Sequence, residues 1–264
     1  MSILVVGSVA LDTVETPFGR VEEALGGSAV YFSLAARLYA PVRLVAVVGE
    51  DFPAEHVALL HQHGVDVAGL ERAAGPTFRW SGRYDFDLNS AETLDTQLNV
   101  FASFHPKMPP AYGDSEFLFM ANIDPDLQRE VLQQVPDTKL RALDTMNFWI
   151  TSKPEQLASA MSLVDIVLMN EAEARQFAGT HSLLRAARRI LELGPRALIV
   201  KKGEYGAVLF SEYGYFVAPA YPLEDVRDPT GAGDSFAGGF LGFLARAGEI
   251  TPRTLKQAII HGSV

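Results

Sequence analysis

The chain has 264 residues, 48% hydrophobic and 20% charged, with no cysteine and a formal net charge of −10. This composition excludes disulfides and thiolate metal sites, and it argues against a general nucleic-acid surface, which needs clustered Lys and Arg. No apolar run reaches the ~18 residues that cross a bilayer, so a small molecule in the cytoplasm is the expected partner rather than a membrane.

The opening MSILVVGSVALD lacks a basic leader and a small-residue cleavage site, and reads as a first buried strand. From there β-branched runs alternate with helix-period segments. The strands are ILVVGSV (3–9), VRLVAVVG (42–49), EFLFMANI (116–123), KLRALDTM (139–146), VDIVLMN (164–170) and RALIVKKG (196–203). The helices are SAVYFSLAARLYA (28–40), FPAEHVALLHQHG (52–64), DPDLQREVLQQV (124–135), PEQLASAMSLV (154–164) and SLLRAARRILELG (182–194). Such alternation predicts one α/β domain over residues 1–264, a Rossmann-like and mostly parallel sheet with helices on both faces. Ligands then bind beyond the carboxyl ends of the strands. Two segments, 13–25 and 77–104, lack helices between their strand-like runs and are expected to form a small β-sheet lid. An ordinary surface hairpin with an extended loop is the alternative.

Near the end stands DPTGAGDSFAGGF, Asp228 to Phe240. Pro229 should end the strand-like run before it. From Ser235 the spacing of Phe236, Phe240, Phe243 and Leu244 is helical, with Gly238, Gly239 and Gly242 permitting close packing. The helix therefore begins at Gly231-Ala232-Gly233, where unpaired amides and roughly half a positive charge of macrodipole make an anion hole suited to a phosphoryl group. Asp234 beside it would repel a phosphate unless it activates an alcohol by accepting its proton. A cap on the first helical turn is the plainer role for such an Asp.

Other strand ends also carry polar groups. Asp12 follows the first strand, and Gly26-Gly27-Ser28 precede a helix where a substrate could lie against bare backbone. Asp144 could face the site or cap the next element. Asn170 and Glu173 share a helix face and both offer oxygen to a hydrated Mg²⁺, although their spacing also suits a capping pair. Lys202, Gly203 and Gly206 suit a sharp turn. His61 and His63 point to different faces of a helix, which argues against a metal site.

These motifs, in this order, resemble the ribokinase-like or PfkB carbohydrate kinases. The resemblance implies an ATP- and Mg²⁺-dependent transfer of the γ-phosphate to a hydroxyl of a sugar or nucleoside-like metabolite. It implies Asp234 as catalytic base, with Gly231, Ala232 and Gly233 forming the anion hole. Substrate contacts would come from Asp12, Gly26, Gly27 and Ser28, and nucleotide contacts from Asn170, Lys202, Gly203, Gly206 and Thr230. Asn170 and Glu173 would hold Mg²⁺ through water, Asp228 with Thr230 a monovalent cation such as K⁺, and the lid could pair two copies into a dimer. Two departures stand out. Many sugar kinases of the family have Asn where this chain has Tyr31, which makes an aromatic or apolar element in the substrate more plausible. Family members also continue past the segment matching LKQAIIHGSV, whereas this chain ends at Val264, so a truncated C-terminus or an open adenine pocket is expected. The alternative reading is a catalytically silent nucleotide or sugar sensor on the same fold. A dinucleotide enzyme is disfavoured because the first strand lacks Gly-x-Gly-x-x-Gly.

Overall fold

The computed structural model describes all 264 residues. The first strand, β1 (Ile3–Val6), is followed by β2 (Ala10–Thr16), β3 (Gly19–Gly26), α1 (Ser28–Ala36), β4 (Val42–Val48), α2 (Ala54–Gln62) and β5 (Val65–Arg72). Next come β6 (Arg79–Tyr84), β7 (Ala91–Gln97), β8 (Phe117–Met120), α3 (Pro125–Gln134), β9 (Leu140–Asp144), α4 (Asn147–Ser152) and α5 (Pro154–Met161). The last part holds β10 (Ile166–Asn170), α6 (Glu171–Ala178), α7 (Leu183–Leu191), β11 (Ala197–Lys201), β12 (Ala207–Ser211), β13 (Gly214–Ala218), α8 (Ala232–Ala247) and α9 (Pro252–Gly262).

Nine strands form the body in the order β13-β12-β11-β10-β9-β8-β1-β4-β5, with only β12 and β13 antiparallel to their neighbours. The inner strands β1 and β8 are apolar and buried at every position because helices cover both faces. Along β1, Ile3 and Val5 join a core with α1, α8 and α9, while Leu4 and Val6 join a second core with α3, α5 and α7. The chain leaves β1 toward β4 on one side and returns to β8 on the other, so the order reverses between β1 and β8. A crevice at the carboxyl ends of the strands opens at such a reversal. No helix is long and apolar enough to cross a membrane.

The expected lid is a separate four-stranded sheet, β3-β2-β6-β7, in which β2 runs parallel to β6 and antiparallel to β3. It grows directly from the carboxyl end of β1. Not all of 77–104 belongs to it, since Val100, Phe101 and Phe104 are buried in the body's second core. Beyond the expected strands the sheet gains β5, whose alternating exposure is that of a sheet edge. No strand runs up to Pro229, since β13 ends at Ala218 and the run to Asp228 is almost wholly exposed and irregular. Turn-rich Pro219 to Pro222 simply offers no ladder partner.

Glycines bring α8 against α1. A Cβ on Gly238 would lie 2.4 Å from the carbonyl oxygen of Phe32 and 2.8 Å from Ala35 Cβ. Gly238→Val should therefore force the two helices apart and destabilise the fold by about 1–3 kcal/mol, read as a lower urea midpoint.

Candidate active site

The turn before α8 is built as its sequence demands. Gly231 is the N-cap with φ 75°, in the left-handed region. Asp228 Oδ1 accepts the Thr230 amide at 2.9 Å, a local turn that aims the chain into the helix. The Ala232 amide donates to the Pro229 carbonyl at 3.0 Å, so it is spent inside the turn rather than left open for a ligand. The amides of Gly231, Gly233 and Asp234 have no acceptor in the protein. Those three, rather than the Gly231-Ala232-Gly233 set, are the donors this turn leaves free for the expected anion hole.

Asp234 follows in the first helical turn. Burial, then the negative charge of Asp144, pushes its carboxyl up to about 8, against the pull of Lys201 and with smaller pushes from Asp12 and Glu173. One side of Asp234 faces an acid-rich acceptor region. There Asp12 is buried, and desolvation pushes it up to about 7 against the pull of a hydrogen bond from the Gly27 amide, with a smaller push from the charge of Asp228. A Cβ on Gly26 would fall 1.9 Å from Asp12 Oδ2. The bare backbone at Gly26 thus makes room for Asp12 itself. Gly27 packs likewise on the Ser8 carbonyl, and Ser28 Oγ and Ser8 Oγ share a 3.0 Å hydrogen bond, which ties the start of α1 to the chain just past β1.

Tyr31 lies over the turn, and a Cβ on Gly231 would enter its ring at 2.3 Å from Cγ. Desolvation and then the charges of Asp12, Asp228 and Asp234 hold its hydroxyl protonated well above the usual range. Tyr84, from lid strand β6, accepts a hydrogen bond from Thr230 Oγ1 at 3.4 Å. It is the lid's link to the turn, and nothing in its own sequence context pointed to it. The lid tip touches the loop after β11 too, where Asn89 Nδ2 donates to Glu204 Oε1 at 3.3 Å.

On the other side of Asp234 lies a buried ionic group. Lys201 Nζ is 2.5 Å from Asp144 Oδ2, so Asp144 faces the site. Desolvation opposes its charge, yet Asp144, Glu173 and Asp234 together raise its pKa above the ordinary lysine value. Asn170 and Glu173 form a capping box on α6, with the Glu173 amide on Asn170 Oδ1 at 2.8 Å and the Asn170 amide on Glu173 Oε2 at 2.7 Å. Glu173 is 9% exposed, and desolvation pushes it up to about 7. Its second oxygen has no partner in the protein. Lys202, Gly203 and Gly206 form the expected turn, with the Lys202 amide on the Gly206 carbonyl at 2.8 Å and the Lys202 side chain drawn to Glu171 at 3.6 Å. His61 and His63 are exposed, and no group of three or more His, Cys, Asp or Glu could hold a metal alone. Lys201 was missed, though a lysine ending the buried parallel strand ALIVK was a legible signal.

A model of the pfkB family carbohydrate kinases matches residues 2–263. The chain is 30% identical to the cytidine kinase of Thermococcus kodakarensis over 271 residues, which cover 99% of this chain and 93% of that protein. Among solved structures it superposes on the Salmonella enterica aminoimidazole riboside kinase, complexed with aminoimidazole riboside and an ATP analogue, at TM-score 0.76 and 23% identity, over 100% of this chain and 91% of that one. It also superposes on a candidate ribokinase II of E. coli, in complex with ATP and Mg²⁺, at TM-score 0.80 and 22% identity, over 99% and 91%. The fold, the order of its motifs and the sequence match agree: this chain belongs to the pfkB family of carbohydrate kinases, phosphotransferases with an alcohol acceptor.

Proposed function

We propose that the protein transfers the γ-phosphate of ATP to a hydroxyl of a neutral sugar or nucleoside, with Asp234 as general base. The observation that carries this reading is the placing of the Asp234 carboxyl, in the first turn of α8, beside amides that nothing in the protein satisfies. Those amides and the helix dipole suit a phosphoryl group, while Asp234 accepts the acceptor's proton during attack. Asp12, braced by Gly27, would hold a second acceptor hydroxyl and so fix which oxygen reaches Asp234. The lid, tied to the turn through Tyr84 and Thr230, would exclude water. ATP-linked chemistry is the family's, and the relatives solved with an ATP analogue and with ATP and Mg²⁺ support it.

The residues fit Mg²⁺ in one specific sense. Glu173, Asn170 and Asp144 are oxygen donors, and no cage of protein ligands exists. Mg²⁺ is commonly held that way, by one or two carboxylates, waters and substrate phosphates. Glu173, with one free oxygen beside the hole, would orient the ion's water shell, and the ion would supply charge neutralisation at the phosphates.

The acceptor's neutrality follows from charge. Asp228 acts on Asp12, Asp12 acts on Asp234 and all three act on Tyr31, so Asp12 and Tyr31 owe their raised values to burial and carboxylates. The lid's arginines are committed elsewhere, Arg79 to Asp51 at 2.8 Å and Arg83 to Glu15 at 3.2 Å. Once Asp12 and Asp234 are ionised, as attack requires of Asp234, a like charge placed there costs several kcal/mol. A panel of sugars, nucleosides, sugar acids and sugar phosphates, assayed for ADP release, should show turnover confined to neutral compounds, with anionic ones at least ~10²-fold lower in kcat/KM. Ligand binding without turnover across the panel would favour the sensor instead.

A further inference from the structure

Of the two lysines that close β11, Lys202 leans out to Glu171 while Lys201 turns inward, its side chain 16% exposed. An ammonium has three N–H donors. Lys201 gives one, to Asp144 Oδ2 at 2.5 Å, and makes no other hydrogen bond in the protein. Two donors on a charged group are thus unmatched in a largely dry site, a costly arrangement unless a ligand takes them.

Position says which ligand. A Cβ on Gly233 would sit 3.1 Å from Lys201 Nζ, so the ammonium flanks the first turn of α8 beside the unsatisfied amides of Gly233 and Asp234. The acids facing it are Asp144 from β9, Glu173 from α6 and Asp234 from α8. Only Asp144 is within hydrogen-bond reach.

We propose that Lys201 is a further catalytic residue, whose ammonium, moored on Asp144, donates its two remaining hydrogen bonds to the phosphoryl group held at the Gly233 turn. The proposal rests on the reading of that turn as a phosphate site. During transfer the acceptor oxygen bonds to the γ-phosphorus while the bond to the β,γ-bridging oxygen breaks, its electron pair leaving on ADP. The acceptor proton goes to Asp234, and Lys201 keeps all three of its protons. Its contribution is fixed positive charge where the transferring oxygens gather negative charge. Asp144 is then a positioning residue, holding Nζ in place before the nucleotide arrives.

Calorimetric titration with Mg²⁺ and either AMP-PNP or ADP separates this from mere balancing of the acid cluster. Lys201→Met should lose about tenfold or more in AMP-PNP affinity, with ADP affinity changing much less, and Lys201→Arg should regain most of that selectivity. Because Lys201→Met strands the buried Asp144, the pair Lys201→Met with Asp144→Asn removes both charges together, its folding checked by thermal midpoint, and should show the same selective loss. In the unaltered protein, the ¹⁵Nζ resonance of the moored ammonium should shift with AMP-PNP and not with ADP. A folded double variant that keeps the parent's AMP-PNP to ADP ratio overturns the proposal, as does an unmoved ¹⁵Nζ signal. If the unaltered protein binds neither nucleotide, the phosphate reading of the turn fails first and the role of Lys201 falls with it.

Discussion

Asp234→Asn should lower turnover by about 10²- to 10⁴-fold while leaving nucleotide affinity within a few-fold. The amide keeps the shape and the hydrogen-bonding capacity of the carboxyl but cannot take the acceptor's proton. The same substitution should also stabilise the fold at alkaline pH. Burial and Asp144 hold the carboxyl at about 8, against about 4 in an unfolded chain, so the folded state binds this proton more tightly. The stabilising contribution of the bound proton is therefore complete below about pH 4 and is lost as pH rises through about 8. An asparagine has no proton to lose. Its thermal midpoint should lie a few degrees above the parent's at pH 8.5 and close to it at pH 5. In the parent, kcat/KM should climb with pH toward about 8, since only the ionised form acts as base. A variant with near-parent turnover, or a parent profile flat from pH 6 to 9, would remove Asp234 from the base's role.

Much of this site is readable before folding because glycines, prolines and acids at strand ends constrain the backbone locally. DPTGAGDSF fixes a helix start without help from elsewhere: Pro229 bars helix before it, Gly231 takes the left-handed φ, and apolar spacing begins at Phe236. The β1, β8 and β10 runs are likewise legible, since strands covered on both faces must be apolar throughout. What the sequence hides is pairing at a distance. Asp144 and Lys201 are 57 residues apart and Thr230 and Tyr84 are 146 apart, joined only by strand order and by the lid's fold-back. The Gly26-Gly27 pair shows a subtler limit. A glycine announces that something lies close to the backbone, but not what, and here Asp12 and the Ser8 carbonyl lie there. Asn170 and Glu173 show that two readings of one spacing can both hold, because a capping box uses one carboxylate oxygen and leaves the other free.

Gly231→Ala should damage turnover and stability together. At φ 75° a non-glycine residue loses about 1–2 kcal/mol, and its Cβ would enter the Tyr31 ring, 2.3 Å from Cγ. Neither partner yields cheaply: Tyr31 is half-buried on α1, and α1 is locked to α8 through Gly238. The turn must shift instead, carrying the amides of Gly233 and Asp234 with it, and displacement of reacting groups by about 1 Å can cost 10²-fold in rate. The expected result is a loss of about 10²-fold or more in kcat/KM together with about 2–4 kcal/mol of stability, the sum of the φ penalty and overpacking. The two causes separate in a double-mutant cycle with Tyr31→Ala, which removes the colliding ring carbons but leaves φ unchanged. If the ring collision dominates, the pair should recover more than half of the lost stability and show a coupling energy of about 1–3 kcal/mol. Strict additivity would mean that Tyr31 does not press on the turn. The tyrosine at this position would then shape the acceptor pocket alone, and the anion hole would owe its geometry to Gly231 by itself.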